Sequence, residues 1–201
     1  MVLDFNQFRW WGVWLAGLAP LLFIIFQILT DGLGADPAQA IVLGTGIWAI
    51  RFLWITLSVT PLRKIRYLGW LVRYRRMLGL YALFYAVLHL LAFTTFILGW
   101  RVDLIWREFT ARPYIIVGLL SLLLLIPLGV TSTKGWMKRL GRNWIRLHYL
   151  IYPAAIFAMI HFLMQIRAGY AEQLLYAVLL SVLLGYRIFI KLFAKKFSKK
   201  R

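Results

Sequence analysis

The chain has 201 residues, of which 63% are hydrophobic and only 15% charged, so its apolar side chains cannot all be buried in one water-soluble core. The formal net charge of +18 comes from cations that border apolar stretches, which favours membrane topology and contact with anionic lipids over nucleic-acid binding. Because the chain has no cysteine, it has no disulfide, no thiol nucleophile and no iron–sulfur cluster.

Six apolar stretches are each long enough to cross a bilayer, since a spanning helix needs about 20 residues. In chain order they cover residues 10–29, 40–60, 77–100, 114–131, 144–166 and 173–193. The first lacks a small-residue cleavage site and is too long for a removable signal sequence, so we expect it to remain as the first helix. The segments between them are too short for a separate catalytic domain. We therefore predict an all-α membrane protein, with six transmembrane helices in a single domain, residues 1–201.

The basic residues predict how this bundle is oriented. They concentrate in three segments on the same side of the six spans: residues 61–76, 134–146 and the tail 191–201. The opposite side carries Asp31 and Asp36, then the mixed loop 101–112 with Asp103 and Glu108, and then Arg167 with Glu172. Short loops rich in Lys and Arg stay in the cytoplasm, so we predict that both termini are cytoplasmic.

The three histidines, His89, His148 and His161, all lie within predicted spans. At 1.5 Å per residue from the basic edges, His89 and His161 lie at similar depth, and His148 lies about 20 Å nearer the cytoplasm. A polar ring in lipid should face the bundle, and its partner could be a serine, a threonine or a backbone carbonyl. Alternatively, His89 and His161 could be the two axial ligands of one b-type heme. A proton relay or a metal path usually includes intramembrane carboxylates, and the predicted spans contain none.

Two arginines are candidates for binding a cofactor. Arg75 precedes His89 by 14 residues, which places both on one face of a continuous helix, with Arg75 at the depth of His148. A guanidinium cannot donate a lone pair to iron, but it can bind a heme propionate or a flavin phosphate. The alternative is a cationic anchor at the cytoplasmic edge. Arg51 lies inside the second span, where it either extends along the helix toward the cytoplasm or meets a cofactor carboxylate.

The fifth span presents a geometric problem. Thirteen residues separate His148 from His161, so an ideal helix points the two rings about 140° apart. Pro153 lies between them. We predict that a proline kink or a one-residue π-bulge there rotates the second ring toward the first, and a straight helix would argue against both histidines serving cofactors in one cavity.

Several short motifs resemble a known family when they are taken together and in order. They are GLGADP (32–37), TPL (60–62), RRMLGL (75–80) followed by LHL (88–90), RPY (112–114), TST (131–133), and LGRNWIRLHYLIY (140–152) with IH (160–161). This set resembles the MsrQ (YedZ) family, part of the ferric-reductase-like transmembrane group. The resemblance implies a six-helix cytochrome b. That group typically has two histidines on each of two helices, whereas here Arg75 stands where the inner ligand of the third helix is expected. His89 and His161 are then the outer pair, His148 is the remaining imidazole for an inner heme, and either one or two hemes b are implied.

The resemblance also implies an electron path across the bacterial inner membrane. Electrons would arrive from a cytosolic flavin reductase, through FMN, and leave to MsrP, the periplasmic molybdopterin subunit that reduces methionine sulfoxide. The chain itself would then be an electron-transfer subunit rather than the catalyst. Two other hypotheses remain open from the residues alone: a small channel or carrier with hydrogen-bonded intramembrane histidines, and a structural partner that recruits MsrP.

Overall fold

The computed structural model describes residues 5–165 and 169–198, and most of these residues lie in helices. The α-helices in these ranges are, in chain order, α1 (Phe5–Leu29), α2 (Pro37–Leu62), α3 (Arg75–Ala92), α4 (Val102–Ala111), α5 (Pro113–Val130), α6 (Lys134–Leu140), α7 (Arg142–His148), α8 (Ile151–Leu163) and α9 (Ala171–Ser198). A 3₁₀ segment, Gly69–Tyr74, leads into α3, and a π-helical turn, Phe93–Ile97, follows it.

Six stretches are long and apolar enough to cross a membrane, which confirms the predicted number of spans. They are Asn6–Leu29, Pro37–Leu62, Gly69–Ile97, Pro113–Val130, Arg142–Leu163 and Ala171–Leu192. The third ends three residues earlier than predicted, because Gly99 and Trp100 adopt left-handed backbone conformations with φ of 59° and 60°. Five residues named in the sequence predictions lie outside the described residues: Ile166, Arg167, Lys199, Lys200 and Arg201.

Two helix pairs form the centre of the bundle. The helix α2 packs along α3, and α5 packs along α8. Ala82 of α3 and Ala154 of α8 are fully buried, and small side chains at such positions let membrane helices approach closely. Between α2 and α3, the ring of Phe52 stacks on that of Tyr85 with 5.3 Å between centroids. The outer faces of α1 and α9 instead expose large apolar side chains, as expected for surfaces that contact lipid.

The fifth span is interrupted between its two histidines. The helix α7 ends at His148, and α8 begins at Ile151. In between, the amide of Tyr152 donates to the carbonyl of Tyr149, an i to i+3 bond that makes a 3₁₀-type turn. Pro153 has no N–H to donate to the same carbonyl, which explains why the break lies just before the proline. The predicted interruption is confirmed, and its form is a tight turn rather than a π-bulge.

Contacts place the basic segments at one end of the bundle. The guanidinium of Arg76 donates to the carbonyl of Ser132, which joins the segment after α2 to the segment after α5. The ammonium of Lys64 lies 5.5 Å from the centre of the Tyr186 ring, which joins the first of these segments to the C-terminal half of α9. The first two segments and the C-terminal half of α9, which leads into the third, therefore lie at the same end of the bundle.

Candidate functional site: a histidine-lined cavity

A cavity of about 630 Å³ lies where the two central helix pairs meet, between α2, α3, α5 and α8. Its volume is within the range of about 300–1,000 Å³ that is usual for ligand and cofactor sites. His89 of α3 and His161 of α8 line it from opposite helix pairs, among mostly apolar side chains. The equal depth predicted for these two histidines is thus confirmed.

Each imidazole is held by a backbone carbonyl of the facing helix. Nδ1 of His89 lies 2.9 Å from the carbonyl oxygen of Val42, and Nδ1 of His161 lies 2.7 Å from that of Tyr114. A carbonyl oxygen can only accept, so Nδ1 donates in both bonds, and in the neutral ring the lone pair is then on Nε2. This is the tautomer of a histidine that ligates a metal through Nε2 while Nδ1–H is fixed by an outer partner.

The two rings are separated as an axial ligand pair should be. Their centroids lie 6.1 Å apart, and their planes make an angle of 78°. Two metal–nitrogen bonds of about 2 Å, with about 1 Å from each nitrogen to its ring centre, give about 6 Å. Within residues 5–165 and 169–198, no three His, Asp or Glu side chains are grouped so as to enclose a bare metal ion. The pair therefore suits a macrocycle that supplies the other ligands itself, as heme does.

Three residues at this site were missed by the sequence analysis. Nε2 of Gln165 lies 2.9 Å from Nε2 of His161, so the amide donates to the lone pair of the ring. Gln165 follows His161 by four residues, and this spacing on one helix face could have identified it. Gly46 and Gly118 lie directly against the imidazoles, but a glycine in an apolar helix carries no sequence signal of what it faces.

Arg51 also lines the larger cavity, with its side chain directed away from the basic end of the bundle. Its Nε donates to the hydroxyl of Tyr176 at 2.7 Å, and its guanidinium lies over the Trp48 ring, 4.9 Å from the centroid. The carboxylate of Glu172 lies 3.9 Å away. The expected extension toward the cytoplasmic surface is therefore wrong, because these three partners all hold the side chain at the cavity. Its role as the partner of a cofactor carboxylate stays a prediction.

A second cavity, of about 220 Å³, contains Arg75 and His148. Nδ1 of His148 donates to the carbonyl of Trp144 at 3.0 Å, and the two rings stack with 3.9 Å between centroids. Nε2 of His148 is buried and has no hydrogen-bond partner among the described residues. A buried polar atom of this kind usually has a partner, so this lone pair is available to a ligand.

The two cavities are neighbours along the bundle. Leu53 and Leu125 line both of them and lie between the two sites. Because α3 is continuous from Arg75 to Ala92, it carries Arg75 to the smaller cavity and His89 to the larger one. His148 and His161 line different cavities, so the structure confirms two separate depths, and the expectation that the interruption turns both rings toward one cavity is wrong.

The helix α4 covers the larger cavity at the end opposite the basic segments, where Phe109 and Arg112 line it. Both acids of this helix are paired with arginine. Nε of Arg112 lies 2.7 Å from the carboxylate of Glu108. Hydrogen bonds from Arg101 lower the pKa of the exposed Asp103 carboxyl below its ordinary value, so this acid is ionised at neutral pH.

Comparisons with known proteins identify the family. Residues 40–159, more than half of the chain, match the family described as ferric reductase like transmembrane component. Proteins of Xanthomonas oryzae pv. oryzae (strain MAFF 311018) and Xanthomonas campestris pv. campestris (strain 8004) are 48% and 47% identical over 172 residues, which cover 83% of this chain and 79% of each relative. A Brucella ovis protein is 38% identical over 176 residues, covering 88% of this chain and 80% of the relative. All three are named protein-methionine-sulfoxide reductase heme-binding subunit MsrQ. The chain belongs to the MsrQ family.

The resemblance to MsrQ proteins found in the sequence is thus confirmed, and with six spans the chain is a multi-pass membrane protein. The region that matches the ferric-reductase-like family contains His89 and His148 and ends two residues before His161. No solved structure matches the chain.

Proposed function

We propose that this member of the MsrQ family is a b-type cytochrome that carries electrons across the bacterial inner membrane. The observation that carries the proposal is the pair of imidazoles with centroids 6.1 Å apart, each with Nδ1 on a backbone carbonyl, in a cavity of cofactor size. Relatives at 38–48% identity bear a name that includes heme binding, which supports the same cofactor here.

In this proposal His89 and His161 would hold heme iron through Nε2, one from each helix pair, with the iron taking the place of the Gln165 amide at His161. Bound heme supplies an iron that alternates between the ferric and ferrous states. The carbonyls of Val42 and Tyr114 keep the rings in the ligating tautomer and make Nε2 more basic. Arg51, at the wall of the same cavity, offers its planar cation to a heme propionate.

The smaller cavity is proposed as a second cofactor site. Arg75 there offers a cation to a propionate or a phosphate, and the buried Nε2 of His148 offers a lone pair. A second heme b with His148 as its protein imidazole, and FMN with its phosphate on Arg75, are the two candidates. A pyridine-hemochrome assay and a flavin assay on the same purified sample would give one or two hemes per chain and show whether FMN is bound.

The proposed electron path places the basic end of the bundle, and both termini, in the cytoplasm. This orientation follows the excess of Lys and Arg at that end. A cationic face is suited to an acidic or phosphate-bearing donor such as a cytosolic flavin reductase. Electrons would leave at the opposite end to the periplasmic molybdopterin subunit MsrP, where methionine sulfoxide is reduced. The chain itself contributes electron transfer and not the sulfoxide chemistry.

Replacing either axial histidine tests the proposal directly. We expect purified wild-type protein to be red and to show a reducible b-type absorption spectrum, because two imidazoles give six-coordinate iron. His89→Ala and His161→Ala should each lose most of the heme bound at the larger cavity, since one axial ligand and its carbonyl anchor disappear. The measurement is the heme-to-protein ratio and the reduced-minus-oxidised spectrum of each variant.

Ser181→Ala is the matched control, because this serine is exposed on α9 and its hydroxyl donates to the carbonyl of Ala177 in the same helix. It should keep the wild-type spectrum. If wild-type protein reconstituted with heme shows no such spectrum, the cytochrome proposal is wrong. A colourless protein that transports solutes in liposomes would instead support a channel or carrier.

A further inference from the structure

Two glycines lie against the two imidazoles of the larger cavity. A methyl group built at Gly46 would be 2.9 Å from both Nδ1 and Cε1 of His89. One built at Gly118 would be 2.7 Å from Nδ1 and 2.8 Å from Cε1 of His161. Carbon atoms do not come this close in packed proteins, so a side chain at either position would force the ring to move.

The same arrangement occurs independently on the two helix pairs. On α2, Gly46 follows by four residues the carbonyl of Val42 that accepts from His89; on α5, Gly118 follows by four residues the carbonyl of Tyr114 that accepts from His161. In both pairs the histidine lies 47 residues after its acceptor. Chance packing would not be expected to give the same spacing of carbonyl, glycine and histidine on both helix pairs.

The helix itself explains why glycine is needed four residues after the acceptor. Cα–Cβ bonds of an α-helix tilt toward its N-terminus, so the side chain at position i+4 lies over the carbonyl of residue i. A side chain there would cover the oxygen and exclude a donor from a neighbouring helix. With glycine, the carbonyls of Val42 and Tyr114 are open to the imidazole N–H groups.

Contact with the imidazoles distinguishes these glycines from others in the bundle. Gly17 and Gly129 also lie close to a neighbouring helix, but they face the ring of Tyr81 and the side chain of Leu83. Those contacts serve helix packing. Gly12 on α1 and Gly185 on α9 have no neighbour within 4 Å of a built methyl group, apart from their own helix.

We propose that Gly46 and Gly118 are positioning residues for the axial imidazoles. Each keeps one ring seated on its carbonyl, and thereby sets both the direction of Nε2 and the strength of the Nδ1–H bond that governs its basicity. The basicity and orientation of the axial ligands change the reduction potential of heme iron. These two glycines therefore help to set that potential. The inference rests on the proposed function, because it concerns ligation by His89 and His161.

The test compares Gly46→Ala and Gly118→Ala with Gly12→Ala and Gly185→Ala. All four substitutions raise helix propensity, so a difference between the pairs cannot come from the helix backbone. We expect the first two variants to show a shifted midpoint potential and altered g values of the low-spin ferric signal in electron paramagnetic resonance, or a loss of bound heme. The two controls should match wild type. If Gly46→Ala and Gly118→Ala have the wild-type potential, g values and heme content, the proposal is overturned.

A double substitution keeps the test decisive where Gly46→Ala does not accumulate as folded protein. Adding His89→Ala removes the ring that the new methyl group meets, so the double variant should fold as well as His89→Ala alone. If the double variant folds no better than Gly46→Ala alone, the methyl group acts at a site other than the His89 ring, and the proposal is overturned. Wild-type protein without heme would contradict the proposed function instead, so the two failures are distinguishable.

Discussion

The side chain of Arg51, inside the second span, is held by one partner on its own helix and two partners on α9. Its guanidinium has a hydroxyl from Tyr176, an aromatic face from Trp48 and a carboxylate from Glu172 around it, and it still lines the larger cavity. Glu172 is more than half exposed, so this ion pair is weak and competes poorly with a heme propionate. The cation is thus available to a ligand.

Substitutions of Arg51 and of Glu172 should therefore affect the retention of heme differently. In heme-loaded protein, Arg51→Gln should speed the transfer of heme to an apo-globin acceptor roughly tenfold, which corresponds to one charge-assisted hydrogen bond of about 1.5 kcal/mol. Glu172→Gln should not speed it, because removing the acid leaves the cation to the propionate. Equal acceleration by both substitutions would mean that Arg51 acts only by supporting the fold.

For single residues, the sequence predicts the depth of a side chain in the membrane better than it predicts the partners of that side chain. The depths of His89 and His161 follow from a fixed rise per residue, so counting from the basic edges was sufficient. The direction of Arg51 depends on Tyr176 and Glu172, which belong to a helix more than 120 residues later. Nothing in the local sequence around Arg51 contains that information.

Among the elements, α1 is joined to the bundle by a tyrosine of α3. The hydroxyl of Tyr85 donates to the carbonyl of Gly17 at 2.9 Å and accepts from the amide of Leu21 at 3.0 Å. In a regular helix these two backbone groups bond to each other, and Pro20 lies between them. Tyr85 is fully buried, so it satisfies polar groups that water cannot reach.

We therefore expect Tyr85→Phe to destabilise the protein by about 1–2 kcal/mol, because two hydrogen bonds are lost in a low-dielectric environment. Tyr81→Phe is the matched control, since among the residues that the structure describes the Tyr81 hydroxyl makes one bond, to the carbonyl of Trp14. Thermal unfolding in detergent, followed by circular dichroism, should give a clearly lower midpoint for Tyr85→Phe than for Tyr81→Phe. Equal midpoints would contradict the bridging role.

The fifth span shows what sequence can and cannot predict about an element. Pro153 and the 140° mismatch between His148 and His161 together indicated an interruption, because both follow from ideal helix geometry. The form of the interruption, a 3₁₀-type turn at Tyr149, depends on which backbone groups find partners after the proline removes a donor. The separation of His148 from the larger cavity also required Leu53 and Leu125 to come together from two helices.

For the whole molecule, the number of spans was predictable because bilayer thickness sets helix length and the apolar runs are well separated. The short helices α4 and α6 were not predicted because, with 10 and 7 residues, neither is long enough to cross a bilayer, and the spans were identified by length and apolar character. These two helices lie at opposite ends of the bundle. The exposed Arg107 belongs to α4, above the larger cavity, and the exposed Lys138 belongs to α6, within a basic segment.

These two positions give a direct test of orientation, because the chain has no cysteine of its own. In spheroplasts, a membrane-impermeant maleimide should label Arg107→Cys and should leave Lys138→Cys unlabelled until the membrane is permeabilised. The physical reason is that segments rich in Lys and Arg are retained in the cytoplasm, whereas Arg101 and Arg112, which flank α4, are paired with its acids Asp103 and Glu108. The reverse labelling would place the basic end in the periplasm, and a donor in the cytosol would then meet α4 and the larger cavity first.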